Sequence, residues 1–140
     1  MNNLEILKAL NLEIFTRDEL TEIFKGVEKD LNILIYAKKE FNYSQMEQIR
    51  LGLESNVDVS IYAKPDYNEY QMTQIRIGLE KDLDISIYAK PEYTWFQMKE
   101  IRLGLEKNLD VSVYAKLEIE SLQMKEIRLD SVSYTHLTLP

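Results

Sequence analysis

Three times the chain sets a serine, a tyrosine and a lysine at alternate positions: Ser60, Tyr62 and Lys64; Ser86, Tyr88 and Lys90; Ser112, Tyr114 and Lys116. Hydroxyls beside an amine are materials for proton transfer. A triplet present in every unit points instead to packing, and Tyr-x-Lys lacks the spacing of the dehydrogenase pattern Tyr-x-x-x-Lys. Tyr36, Tyr62, Tyr88 and Tyr114, each followed by Ala and Lys, are expected to bury their rings while the lysines snorkel. The other reading is an amphipathic groove of Tyr and Lys for a peptide or protein.

A second series is Arg50, Arg76, Arg102 and Arg128, with Phe24 in its place in the first copy. Guanidinium forks suit carboxylate or phosphate. Glu54, Glu80 and Glu106, four residues after the first three, favour a structural ladder, with the recurring aspartates as further partners across the repeat boundary. The single histidine, His136, lies near the end, and there are no cysteines. The body therefore supplies no histidine-based metal or acid-base chemistry, no disulfide and no thiolate. No catalytic constellation, metal motif or cofactor motif is found, and no enzyme is expected. An enzyme working through the Ser, Tyr and Lys ladder is carried only as a reading to test.

These residues recur because the chain does. Gln45, Gln71, Gln97 and Gln123 each open a copy, spaced by 26 residues. Copies start near 15, 41, 67, 93 and 119, and residues 1–14 read as an N-terminal cap with Leu4, Leu7 and Ile14 at helical spacing and Asn3 as its N-cap. Thr16, Asn42, Asn68 and Thr94 are each followed three positions on by Glu19, Gln45, Gln71 or Gln97, the spacing of a capping box. Phe15, Phe41, Tyr67 and Tyr93 precede those caps as hydrophobic staples to Leu20, Met46, Met72 and Met98. Met98, Ile101, Leu105 and Leu109 then continue one helical stripe, so each copy holds a helix of about 12 residues. Gly26, Gly52, Gly78 and Gly104 lie inside it. Each costs about 1 kcal/mol relative to alanine, which suggests close approach by a neighbouring backbone or ring.

The second half of each copy admits two readings. Val59, Ile61 and Ala63 alternate with Ser60, Tyr62 and Lys64 as in a strand. Alternatively Asn32, Asp58, Asp84 and Asp110 cap a short helix that Pro65 and Pro91 stop. The helix is favoured because caps recur together with apolar pairs such as Val57 and Tyr62. The expected fold is thus all-α, a solenoid of about four to five two-helix repeats over residues 1–129. Its alternative is an α/β solenoid with one short parallel strand and one helix per repeat.

The segments Asp84-Ile-Ser-Ile-Tyr-Ala-Lys-Pro91 and Thr94 to Leu109 resemble the leucine-rich variant repeat, which implies a solenoid of alternating short and long helices. The wording Gln-Met-x-x-Ile-Arg-x-Gly-Leu-Glu-x-x-Leu-Asp-Val-Ser-x-Tyr-Ala over residues 15–129 also resembles repeats in uncharacterised mobile-element proteins of gut anaerobes. That resemblance implies no activity. After Leu129 the pattern stops: residues 130–140 are expected to be a non-native tail, with further repeats in the native chain.

A net charge of −7 disfavours direct nucleic-acid binding, though an acidic surface can imitate nucleic acid to a basic partner. No signal peptide or membrane span is expected, and a cytoplasmic location fits the absence of cysteine. The positions between Pro and helix vary most: Asp66, Asn68, Glu69 and Tyr70 become Glu92, Thr94, Trp95 and Phe96. Aromatics at variable positions have the character of a binding face. Candidate partner-binding residues are therefore Trp95, Phe96, Tyr70, Tyr62, Tyr88, Tyr114, Lys64, Lys90 and Lys116. The expected role is a non-enzymatic scaffold for protein–protein interaction. The alternative is a mobile-element inhibitor or acidic decoy of a host defence or nucleic-acid-processing enzyme.

Overall fold

The computed structural model describes residues 2–138, with side chains as far as Ser131. Its regular elements are all helical: α1 (Asn3–Ala9), α2 (Arg17–Glu28), α3 (Tyr43–Glu54), α4 (Glu69–Glu80), α5 (Trp95–Glu106) and α6 (Ser121–Thr138). Short 3₁₀ turns lie between them at Leu12–Ile14, Ile33–Ile35, Val59–Ile61, Ile85–Ile87 and Val111–Val113. The strand alternative is thereby corrected, since no strand occurs among the described residues. The favoured short helix is a single 3₁₀ turn that ends at Tyr62, Tyr88 or Tyr114, ahead of the prolines.

Local chemistry explains why each long helix starts where it does. Thr16, Asn42, Asn68 and Thr94 accept from the N–H of the residue three on, and Glu19, Gln45, Gln71 and Gln97 accept the N–H of the cap in return. The first helix is capped by Asn2, one residue before the expected Asn3, whose amide instead donates to the Leu31 carbonyl at 2.6 Å. Helix ends are equally regular. Asp30, Asn56, Asp82 and Asn108 adopt left-handed φ of 55–59°. The following residues Leu31, Val57, Leu83 and Leu109 donate back to the glycine carbonyls of the last turn at 2.9–3.1 Å, closing a Schellman motif. No such break falls in α6, which runs on to Thr138.

Each of α2 to α5 packs on the next long helix and on the 3₁₀ turn that follows it. Met46, Met72, Met98 and Met124 and Ile23, Ile49, Ile75 and Ile101 are fully buried along those seams. One continuous apolar core results, running from Ile6 to Met124.

Candidate functional site

The tyrosines that end the last four 3₁₀ turns are, with Phe41, the best buried rings among the described residues. Tyr36, Tyr62, Tyr88 and Tyr114 are at most 1% exposed. Their hydroxyls donate to the carbonyls of Glu22, Gln48, Gln74 and Glu100 at 2.6–2.7 Å. Those carbonyls lie one turn ahead of Gly26, Gly52, Gly78 and Gly104. A Cβ at any of these glycines would fall only 2.0–2.1 Å from a tyrosine hydroxyl, so the glycine is the slot through which the ring reaches the backbone. Burial pushes all four hydroxyls up, Tyr114 to about 12 and the others further. Tyr62, Tyr88 and Tyr114 are accordingly withdrawn as partner-binding residues: the geometry makes them core.

The serines of the triplet face elsewhere. Ser60, Ser86 and Ser112 are exposed and donate through Oγ to Asp58, Asp84 and Asp110 at 2.5–2.6 Å, within the caps of the 3₁₀ turns. Serine and tyrosine hydroxyls thus occupy opposite environments and different acceptors. Lys64, Lys90 and Lys116 are exposed, and Lys90 and Lys116 line an open hollow with Ser112 and Asp110.

The arginines form a ladder with a partner the sequence did not disclose. Arg50 Nε donates to Glu22 at 2.7 Å, Arg76 to Gln48 at 3.0 Å, Arg102 to Gln74 at 2.9 Å and Arg128 to Glu100 at 2.9 Å. The expected glutamates Glu54, Glu80 and Glu106 hold Nη1 of the first three. The aspartates expected across the boundary cap 3₁₀ turns instead. Burial opposes ionisation of Glu106, but Lys81 and Arg102 outweigh it and hold the carboxyl below its usual range. With two acceptors on each of Arg50, Arg76 and Arg102, these guanidiniums serve the joints between units.

The capping glutamines join units as well. Gln45, Gln71 and Gln97 donate through Nε2 to the carbonyls of Tyr67, Tyr93 and Ile119 at 2.7–2.8 Å. Glu19 has no such donor, and Lys39, near the end of the same copy, meets it at 2.8 Å. At Glu19 burial again opposes ionisation, while Lys39 and the Thr16 N–H prevail and lower the pKa.

The variable positions remain, and apart from Phe24 the exposed rings lie here. Tyr43, Tyr70 and Phe96 are about half exposed, each in the first turn of its helix, and Leu122 holds the corresponding place in α6. Tyr70 and Trp95, from successive units, approach to 5.6 Å between ring centroids, and Trp95 stacks on Phe96 at 3.8 Å. The structure thus gathers Tyr70, Trp95 and Phe96 into one cluster. Among the described residues no group of three or more Asp, Glu or His side chains is placed to hold a metal ion, and no helix is long and apolar enough to cross a membrane. The side chain of His136 lies outside the described residues. No family model, curated protein or solved structure matches the chain.

Proposed function

We propose that the chain is an α-solenoid scaffold, without enzymatic activity, that binds a protein partner along the edge formed by the first turns of its long helices. One observation carries this reading. The constant tyrosines and glycines are buried and the constant arginines and capping glutamines are engaged in joints between units, whereas the variable positions at the helix starts carry the exposed rings Tyr43, Tyr70 and Phe96 and the half-buried Trp95. A stack of like units that varies only along one edge suits recognition, because stability and specificity then rest on different residues. Rings offer large contact area at low conformational cost.

The test is affinity capture from a cell lysate with the chain as bait, with and without nuclease. A protein partner is expected under both conditions and is expected to be lost on Trp95→Ala with Phe96→Ala. Recovery only before nuclease would mean contact through nucleic acid and would overturn the reading.

A further inference from the structure

We propose that this edge, taken as the partner face on the reading above, receives an extended peptide segment bearing arginines, one guanidinium to each repeat. Glu40, Asp66, Glu92 and Glu118 recur at one position of successive units, two residues ahead of each helix cap, and all are exposed. Among the described residues none of them takes part in a salt bridge. They share one register, Glu40, Asp66 and Glu92 each standing directly before a buried ring, Phe41, Tyr67 or Tyr93; burial first, and then Glu92 and Asp66, push the Tyr67 hydroxyl up.

At Glu92 the carboxylate row meets the rings. Glu92 lines an open depression together with Trp95 and Phe96. A ring face next to a free carboxylate selects a planar cation, which can stack on the one and fork to the other. Lys90 and Lys116 line a separate hollow beside Ser112 and Asp110. A net charge of −7 adds long-range attraction for a basic segment and repels phosphate.

Spacing sets the pattern of the segment. Packed helices lie about 8–10 Å apart, and a segment in the extended polyproline-II conformation advances about 3.1 Å per residue with three residues per turn, so every third side chain shares a face. One guanidinium per unit therefore requires arginine at every third position.

The test uses the full chain and the fluorescence of Trp95, the only tryptophan. The probes are an Arg-Gly-Ser repeat peptide, an isomer with the arginines contiguous, and a Glu-Gly-Ser peptide. The triplet-spaced arginine peptide is expected to shift Trp95 emission and to bind most tightly. Phe96→Ala is expected to weaken it about tenfold, and Glu92→Gln about threefold. Lys107→Ala, at the opposite end of α5, should leave it unchanged, with thermal unfolding of all three variants compared as a control for folding. Equal binding of the contiguous isomer, equal binding of the glutamate peptide, or no binding of the spaced peptide would overturn the proposal. The scaffold reading would survive any of these if capture were still lost with Trp95 and Phe96 replaced, since the partner's chemistry alone would then be wrong.

Discussion

At the scale of single residues, the pairing of a glycine with a tyrosine does most to define each unit. Replacing Gly78 by alanine would gain about 1 kcal/mol of helix propensity. The added Cβ would meet the Tyr88 hydroxyl at 2.1 Å and Ile85 Cγ2 at 2.5 Å, so the ring must leave its slot. Gly78→Ala is expected to destabilise by about 1–3 kcal/mol net, and Tyr88→Phe, which loses one buried hydrogen bond, by about 1 kcal/mol. Urea unfolding of the double variant should show a loss smaller than the sum, because removing the hydroxyl relieves the clash. The same tyrosines set the alkaline limit. An unfolded tyrosine releases its proton near pH 10, whereas burial holds that of Tyr114 to about pH 12 and those of Tyr36, Tyr62 and Tyr88 beyond. Above roughly pH 10 the unfolded chain binds fewer protons than the fold, so stability is whole below that pH and falls as pH rises through 12. Unfolding midpoints measured across this range should decline, and Tyr88→Phe should decline less steeply.

At the scale of elements, the helix ends are where sequence and structure agree most closely, because their determinants are local. Thr94 and Gln97 form their box within four residues, and the glycines do mark a close approach by a ring. The short element was less legible for a physical reason. In a 3₁₀ turn residues three apart share a face, so Val59 and Tyr62 are both buried while Ser60 between them is exposed. Over so short a run this is almost indistinguishable from strand alternation. The partners of the arginines were hidden by distance, Gln74 lying 28 residues before Arg102. The left-handed residues are Asp or Asn in phase at 30, 56, 82 and 108, a weak signal because glycine is the usual occupant. Asp82→Gly should raise stability by about 0.5–1 kcal/mol and Asp82→Val should lower it, as thermal unfolding would show. Gln71→Leu removes the reciprocal cap bond and the bond to Tyr93 together, and about 2 kcal/mol should be lost.

At the scale of the whole molecule, the side-chain hydrogen bonds that cross between units join neighbours only among the described residues, as Arg76 to Gln48 and Gln71 to Tyr93 illustrate. A chain so built should tolerate loss of one unit. Deleting residues 67–92 rejoins Asp66 to Tyr93 in phase, and the shortened protein is expected to keep its helicity per residue, with a urea m-value reduced in proportion to the lost surface. An unfolded product would contradict the modular architecture. The division between constant joints and a variable edge is the central claim, and a paired comparison of variants tests it most directly. Trp95→Ala with Phe96→Ala should abolish partner capture while leaving a cooperative thermal transition, whereas Arg102→Ala should lower the transition and, below it, leave capture intact. Capture that survives loss of the two rings, or fails equally with Arg102→Ala in a protein still folded, would contradict it.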